Sequence, residues 1–416
     1  MWETMGASLV FSHMQPNQSD QKGPPVVMLI AKGYQRPDLP RARQEAKSLS
    51  DAGYRIFVLA WDRYREFQKL EKVDGATVRS FSTPRMSRFS KLGLVLGGAL
   101  FQVAIFFETL RLINQLRQRP TIHAHDINTL LPGYLLRALG LGRALVYDCR
   151  EFTYWIYSEW FHPLVGASLR VIEQGCLRHV DAIITVTEPI AEYLRRFKQN
   201  VELIYNCPVT SEIPTLSKRE ARIQLALPVD AFIVSSVGAI RYGCRLELLL
   251  TLATETQMDN VHFLVVGDGP LGPAFRKAAI GIPKTKFTVI PMVPHQTALS
   301  YIISSDLSWV VYQNRAEAVS ERLALPWKLF ESLACGVPVV VEANTFQAKL
   351  VGENRCGIVL EHDDPTYISK AIMSLVKDQT RRRQMSEAAR EISGSLNFTW
   401  EAMSTRLTAL YARLAS

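Results

Sequence analysis

Short apolar runs alternate with amphipathic segments in the first half of the chain, as strands and helices do in a parallel sheet. An apolar run at 26–31 is followed by a basic stretch, a helical pattern at about 40–52 and a second apolar run at 55–60. Gly53 stands where that helix should end. Because a strand, a crossover helix and a second strand nearly always form a right-handed parallel unit, this segment predicts a β-α-β motif.

The alternation runs to about residue 209, is interrupted by a stretch rich in Pro, Ser and Thr, and then begins again. Proline clusters of this kind are typical of a domain boundary. The pattern therefore predicts an α/β protein in which two Rossmann-like domains face each other across a cleft and a C-terminal helix packs back on the body. The predicted divisions are a flexible leader at 1–24, an N-terminal Rossmann-like domain at 25–209, a linker at 210–230, a C-terminal Rossmann-like domain at 231–396 and a crossover helix at 397–416.

One segment, LGLVLGGALFQVAIFF at 92–107, is apolar almost all round and lies between basic flanks within 85–119. Three interpretations remain open. The segment is a core helix of the first domain, or a helix whose exposed apolar side enters a membrane interface while the basic flanks meet anionic lipid, or a membrane-spanning helix. Its uncharged length is at or below what a span requires, which disfavours the last.

The stretch SERLALPWKLFESLACGVPVVV at 320–341 predicts a helix that begins at about Pro326, ends at Gly336 and leads into a buried strand. Lys328 and Glu331 are three residues apart, so they share one face near the helix start. Free N–H groups, the positive end of the helix dipole and the lysine together favour a phosphate group. The alternative is an ordinary surface ion pair.

Composition narrows the function without choosing it. The chain has 416 residues, 48% of them hydrophobic, and a net charge of +9, which indicates a globular protein with an anionic partner. The basic residues are dispersed and lack interleaved aromatic residues, so a nucleic-acid binder is disfavoured. Six scattered cysteines without a C-x-x-C pair argue against a zinc site and against a disulfide framework, and they favour a reducing cytoplasm. The first 24 residues do not resemble a signal peptide.

Polar residues follow several predicted strands of the first half. Ligands of open parallel sheets bind beyond the carboxyl ends of the strands, so residues in these positions are candidates for ligand binding on the N-terminal side of the cleft. They are Gly33, Arg36, His125 and Asp126, with Asp148, Arg150 and Glu151 after the next strand.

Five stretches together resemble the glycosyltransferases of GT-B fold, and among them the retaining nucleotide-sugar enzymes of glycosyltransferase family 4. They are HAHDINTLLPGYLLRALGLGRALVYDCRE, DAIITVTEPIAEYLRRF with LIYNCP, VGAIRYGCRLELLL, FLVVGDGP, and LPWKLFESLACGVPVV with ENRCGIVLEHDDP. The resemblance covers nearly the whole chain. It implies that the C-terminal domain binds a nucleoside diphosphate sugar as substrate and that transfer needs no metal or other cofactor.

The resemblance also implies roles for individual residues. A basic pair, Arg241 or Arg245 together with Lys328, would grip the diphosphate, and Glu331 would bind the ribose. Gly238, Gly267 and Gly269 match the turns at the nucleotide, although turn geometry alone also explains glycine there.

Three positions depart from the family pattern. The family often has a glutamate eight residues before Glu331, where this chain has Leu323, so Glu317 and Glu321 are the remaining candidates near the donor sugar. Trp327 replaces the usual Asn. The family's D-x-H motif reads Asp148-Cys149-Arg150 here, and because arginine cannot act as a base near neutral pH, Arg150 would serve as an anion or carbonyl clamp.

The predicted function is a cytoplasmic glycosyltransferase, peripheral on the inner face of the cell membrane, that extends a lipid-linked or polysaccharide acceptor with retention. Two alternatives remain. One is a GT-B nucleotide-sugar epimerase, and the other is a non-catalytic sugar-nucleotide-binding subunit that partners an active transferase.

Overall fold

The computed structural model describes residues 23–32, 40–63, 65–84, 91–255, 258, 260–313, 319–395 and 398–415. Two α/β domains are present, as predicted. The strands of the N-terminal domain are β1 (Pro25–Ile30), β2 (Arg55–Trp61), β3 (Leu70–Val73), β4 (Ala76–Phe81), β5 (Thr121–His125), β6 (Ala144–Cys149), β7 (Ala182–Thr185) and β8 (Val201–Leu203). Its helices are α1 (Pro40–Asp51), α2 (Lys91–Leu116), α3 (Ile127–Ala138), α4 (Thr153–Trp160), α5 (Pro163–Leu177) and α6 (Glu188–Arg195).

The C-terminal domain is built in the same way. Its strands are β9 (Phe232–Val237), β10 (Val261–Val266), β11 (Phe287–Ile290), β12 (Leu307–Trp309), β13 (Val339–Glu342) and β14 (Gly357–Leu360). The helices of the second half are α7 (Lys218–Gln224), α8 (Glu247–Ala253), α9 (Gly272–Ala278), α10 (His295–Ile303), α11 (Val319–Leu323), α12 (Trp327–Ala334), α13 (Phe346–Asn354), α14 (Pro365–Lys377), α15 (Gln379–Ser395) and α16 (Trp400–Ala415).

Both sheets have the strand order of doubly wound folds. The first sheet is ordered β3-β4-β2-β1-β5-β6-β7-β8 and the second β11-β10-β9-β12-β13-β14. Every neighbouring pair of these strands is parallel except β3 with β4. This edge hairpin was not predicted, although Asp74-Gly75 between two alternating runs is a turn signal.

The predicted linker at 210–230 is wrong in part, because it contains secondary structure that belongs to the second domain. A short 3-10 helix at Thr210–Glu212 is followed by α7, which opens with a Ser217–Glu220 capping box. Arg222 of α7 is buried and donates to the Ser304 carbonyl at 2.8 Å and to Asp306 at 2.5 Å. These bonds fix α7 to the loop between α10 and β12.

Helix α16 crosses back and packs on the N-terminal domain, as predicted. It contacts α1 and β8, and its Trp400 donates through Nε1 to Ser48 Oγ of α1 at 2.9 Å. The side chains of Met403, Leu407 and Leu410 are fully buried. The last helix of the chain is therefore part of the first domain's core.

Helix α2 has one side in the core and the other in solvent. Phe101 is buried and stacks on Trp61 with ring centroids 4.6 Å apart, and Ile105 is also buried. The opposite side exposes large apolar residues: Val95, Leu96, Leu100, Val103 and Phe107. The segment Gly93–Leu116 is long and apolar enough to cross a membrane, but core helices of soluble proteins can have the same length and composition. One side of α2 thus belongs to the core and the other is exposed, so the choice between a core helix and a membrane-associated helix stays a prediction.

The packing of α16 makes a stability prediction. We expect Leu407→Ala to lower the free energy of unfolding by about 2–5 kcal/mol, because it removes fully buried methyl groups and leaves a cavity. Leu139→Ala makes the same change at a position that is 64% exposed and should cost less than about 0.5 kcal/mol. Urea unfolding followed by circular dichroism measures both. Equal, small losses would contradict the packing of α16 on the first domain.

Candidate functional site

The start of α12 holds a buried lysine. Pro326 is the N-cap of this helix in extended backbone, so the helix begins one residue later than predicted, at Trp327. Lys328 lies in the first turn and is buried, and its Nζ donates to Ser236 Oγ at 3.3 Å. The amine therefore points from the helix start toward the carboxyl end of β9, where ligands of this sheet type bind.

A second cation approaches the same point from the loop after β9. The guanidinium carbon of Arg241 lies 5.6 Å from the centroid of the Tyr312 ring, and Lys328 Nζ lies 5.7 Å from the same centroid. Tyr312 is buried just beyond the end of β12. The role of Tyr312 was not predicted, because a tyrosine after an apolar run is read most simply as core.

The electrostatics of this pair favour an anion. Burial is the main cause that lowers the pKa of Lys328 below its ordinary value, and the positive charge of Arg241 lowers it further. A divalent anion between the two groups would relieve their mutual repulsion and the cost of burying the amine. The N–H groups of the first turn of α12 add donors at the same place.

Glycine turns set the position of this site. A Cβ atom on Gly267 would lie 1.9 Å from the carbonyl oxygen of Gly238, and one on Gly269 would lie 2.6 Å from that of Ile240. Both residues have positive φ values, 141° and 155°. At both turns the backbone therefore packs directly against the backbone of the loop that carries Arg241, and this contact supports the loop. Gly238 itself borders the lysine, since a Cβ atom on this glycine would lie 3.5 Å from Lys328 Cε.

Of the two arginines predicted for the basic pair, the structure brings only Arg241 to Lys328. Arg245 has a left-handed backbone and turns toward carboxylates instead. It contacts Glu247 at 2.8 Å and Asp363 at 3.0 Å, and Glu342 at 3.8 Å. These three acids neutralise its charge away from the start of α12.

Glu331 lies one turn further along α12 and already has a partner. Its Oε1 lies 2.7 Å from His295 Nε2 at the start of α10, and His295 Nδ1 lies 3.4 Å from Glu212. The hydrogen bond to Glu331 is the main cause that raises the pKa of His295. A ribose hydroxyl would therefore share Glu331 with this histidine.

Of the two glutamates predicted to lie near the donor sugar, the structure describes one. Glu321 lies in α11, with its Oε1 3.8 Å from Arg241, while Glu317 falls outside the described residues. Leu323, which stands where the family often has a glutamate, packs with Val319 against the hydrophobic core of the N-terminal domain. Helix α11 also contacts α4. Leu323 therefore serves the contact between the domains.

The opposite wall of the cleft contains a second ion pair. Arg150, directly after β6, binds Asp126 with both ends of its guanidinium, and the Nε–Oδ1 distance is 3.2 Å. Asp126 follows β5 and has φ 63° and ψ 167°, which is rare for a residue other than glycine. Strained backbone of this kind concentrates at functional sites. Gly33 and Arg36, also predicted for this side, lie outside the described residues.

Glu151 connects the two walls electrostatically. Burial is the main cause that raises its pKa, followed by the negative charge of Asp126. The positive charges of Arg150, Arg241 and Lys32 lower the pKa of Glu151, so charged groups of both domains act on this carboxylate. Its side chain is nevertheless exposed to solvent, as expected of a group inside a cleft.

His125 was predicted to line the cleft, and this prediction is wrong. Its side chain is 2% exposed and lies beneath α1, because alternate residues of β5 point to the same face and His123 and His125 therefore point there together. They form a buried polar cluster with Arg41, Glu45 and Asp148. Arg41 and Glu45 were not predicted as members, because an i,i+4 pair on a helix is usually on the surface.

This cluster is unevenly charged. Arg41 binds Asp148 through Nε at 3.1 Å and Nη2 at 3.2 Å, and although burial opposes it, this contact lowers the pKa of Asp148. Burial raises the pKa of Glu45 to about 7. Ionised Glu45 and Asp148 together would leave one negative charge beyond that of Arg41.

Two family models match this chain and together cover most of it. The description "Glycosyl transferase 4-like domain" matches residues 40–207, and "Glycosyl transferases group 1" matches residues 217–392. The boundary between the two matches falls between Cys207 and Ser217, just before α7.

Curated relatives are similar over part of their length. A D-inositol 3-phosphate glycosyltransferase of Corynebacterium efficiens is 22% identical over 261 residues, which is 58% of this chain and 59% of that protein. An alpha-monoglucosyldiacylglycerol synthase of Streptococcus pneumoniae is 23% identical over 57% of this chain and 56% of its own length. The chain thus spans less than two thirds of the curated relatives that it matches.

Solved structures share the fold over nearly the whole chain. A sucrose-phosphate synthase from Thermosynechococcus elongatus has a TM-score of 0.76 at 18% identity and covers 94% of this chain and 100% of its own. The Anabaena protein HepE, solved in complex with UDP and glucose, has a TM-score of 0.69 at 13% identity and covers 94% and 100%. With these family matches, relatives and structures, the chain belongs to the GT-B glycosyltransferases of glycosyltransferase 4-like type.

Proposed function

We propose that this protein is a glycosyltransferase that moves a sugar from a nucleoside diphosphate sugar to an acceptor, with retention at the anomeric carbon and without a catalytic metal. The observation that supports it most is the meeting of Arg241 and Lys328 over Tyr312 at the start of α12. Family membership supplies the reaction class, and the Anabaena neighbour was solved with UDP.

In this proposal the basic pair stabilises the leaving group. When the bond from the sugar to the diphosphate breaks, negative charge grows on the diphosphate. Lys328, Arg241 and the first N–H groups of α12 are already in place to bind it, so little reorganisation is needed as the charge develops. Glu331 binds the ribose while it keeps its contact with His295.

The acceptor binds on the wall formed by the N-terminal domain. Asp126 and Arg150 hold each other at the carboxyl ends of β5 and β6, and Glu151 faces Arg241. Because Asp126 occupies Arg150, we assign this arginine to orienting the wall and the acceptor and not to proton transfer. Glu321, beside Arg241, is the described carboxylate candidate for contact with the donor sugar.

The uncovered side of α2 supports a lipid-linked acceptor presented at a membrane. Helix α3 contacts both α2 and α5, and all three lie on one side of the first sheet. Each exposes large apolar side chains, and Phe107 of α2, Leu139 at the end of α3 and Val171 of α5 are each more than half exposed. Exposed large apolar side chains on three neighbouring helices are what an interaction site would present.

Charge favours an anionic lipid surface as the partner of that apolar side. Arg111, Arg117 and Arg119 are exposed at the carboxyl end of α2, and the chain carries a net charge of +9. Each basic residue near an anionic leaflet contributes about 1 kcal/mol of attraction. We therefore propose that the protein is peripheral on the inner face of the cell membrane, which is consistent with the glycolipid synthase among its relatives.

Donor binding is tested with Lys328→Met. Wild-type protein is screened with nucleoside diphosphates by thermal shift and calorimetry, and we expect binding to raise its melting temperature. The variant should bind the preferred diphosphate at least about tenfold more weakly, because a charge-assisted hydrogen bond is lost. Lys349→Met removes an exposed lysine of α13 and should bind normally.

A turnover assay distinguishes an active transferase from a non-catalytic binding subunit. Release of nucleoside diphosphate that depends on a lipid or oligosaccharide acceptor supports the transferase. Donor binding without release over any acceptor would favour a non-catalytic subunit, and absence of any diphosphate binding would contradict the proposed site.

The pH dependence of donor binding follows from the lowered pKa of Lys328. An ordinary lysine has a pKa near 10.5, so the amine here loses its proton, and its attraction for a diphosphate, at a lower pH. We expect affinity to fall as the pH rises from 7 toward 10 in the wild type and to change less in Lys328→Met. Calorimetry across this range measures it. Parallel curves for the two proteins would contradict the assignment.

Membrane attachment is tested with Val103→Ser combined with Phe107→Ser. The wild type should pellet with vesicles that contain phosphatidylglycerol at low salt, and the double variant should bind at least about tenfold more weakly because two apolar side chains are lost. Ile280→Ser alters an 80% exposed residue of the other domain and serves as control. A wild type that stays in the supernatant at low salt would overturn the proposal.

A further inference from the structure

Three donor atoms meet in the buried cluster beneath α1. Glu45 Oε2 lies 3.6 Å from His125 Nε2 and 3.8 Å from His123 Nε2. The three side chains are between 0% and 2% exposed. None of these three atoms has a hydrogen-bond partner among the described residues. Buried polar atoms without partners are rare and require an explanation, such as an ion.

The opposite nitrogen of each ring lies near an oxygen atom. His123 Nδ1 shares a 2.7 Å hydrogen bond with the hydroxyl of Tyr411 in α16, while His125 Nδ1 lies 3.2 Å from Asp148 Oδ2 without the alignment of a hydrogen bond. A proton on each Nδ1 would leave the Nε2 lone pair directed at Glu45. Carboxylates and hydroxyls in this position orient the histidine ligands of metal sites.

The spacing of the donors fits a small divalent ion. Zinc binds histidine nitrogen and carboxylate oxygen at about 2.0–2.2 Å, so tetrahedral ligands lie about 3.4 Å from one another. Asp148 contributes a fourth candidate, since one donor atom from each of Glu45, His123, His125 and Asp148 lies within 4.8 Å of the others. The two imidazole rings are stacked and nearly parallel, with centroids 4.4 Å apart, so both rings rotate toward the ion when their in-plane Nε2 lone pairs bind it.

Arg41 binds both carboxylates of the cluster. Its Nε lies 2.9 Å from Glu45 Oε1, while the other oxygen of Glu45 is the one nearest the histidines, and it binds both oxygens of Asp148. It also donates to the carbonyl of Ile204 at 2.6 Å. The arginine fixes both carboxylates but supplies one positive charge against two negative ones.

We propose that His123, His125 and Glu45 bind a divalent transition-metal ion, with zinc preferred, and that Asp148 and Tyr411 orient the two histidines. The donor atoms are closed off from solvent, so the ion is structural, and a buried water or Asp148 would complete its four ligands. It ties β5 to α1 directly and to α16 through Tyr411. The ion thereby holds the crossover helix on the first domain.

Metal content tests this site without an activity assay. The purified full-length protein is stripped with a chelator, dialysed against Zn²⁺ and then against metal-free buffer, and its zinc is measured by plasma mass spectrometry. We expect about one zinc per chain and a rise in melting temperature on reloading. Co²⁺ loaded in place of zinc should give the visible absorption of a four-coordinate nitrogen and oxygen site.

Matched histidine variants locate the ion. His123→Gln and His125→Gln should each lose the zinc and the Co²⁺ spectrum. His262→Gln alters another buried histidine, bonded to the Thr285 carbonyl at 3.0 Å in the second domain, and should keep both. The wild-type Co²⁺ spectrum needs no variant, so it stands even where a variant fails to fold.

Two results would overturn the proposal. Less than about one zinc per ten chains in folded, reloaded wild type would show that a proton on Glu45, and no metal, satisfies the cluster. Zinc that persists unchanged in both histidine variants would assign it to another group, such as the free cysteines.

Discussion

Two positive charges lie against one buried tyrosine ring, and the donor half of the molecule is organised around that contact. A cation over an aromatic face gains about 0.5–2 kcal/mol, which offsets part of the cost of burying Lys328 and of placing Arg241 beside it. An anion bound between the two groups would offset the rest. The site is therefore arranged in advance for a ligand with two negative charges, and its position depends on the glycine turns that press together behind it.

The sequence was sufficient to predict those features that depend on residues close together in the chain. The start of α12 could be predicted because Pro326, Lys328 and the following apolar run lie within one turn of helix and one strand. The two-domain α/β architecture followed from the alternation of apolar runs. The choice of Arg241 over Arg245 did not follow, because it depends on a left-handed residue and on three carboxylates, two of them from distant parts of the chain.

Long-range contacts also account for the residues that could not be predicted. Arg41 and Glu45 look like a surface pair along α1, and only the packing of that helix over β5 and β6 buries them beside two histidines. Leu323 looks like the loss of a catalytic glutamate, yet it fills the contact of α11 with the first domain. The sequence shows which residues are present, but their roles depend on contacts between segments that are far apart in the chain.

The chain passes between the domains twice, and the two passages touch. The N–H of Trp400 donates to the carbonyl of Pro208 at 2.9 Å. Tyr205 of the first passage and Phe398 of the second both pack on Phe330, two residues after Lys328 in α12. The first domain is not one continuous length of chain, so no single cut separates it from the second. Both covalent connections between the domains therefore pack against the helix that carries Lys328, so the donor-side lysine is held at the point where the two domains are joined.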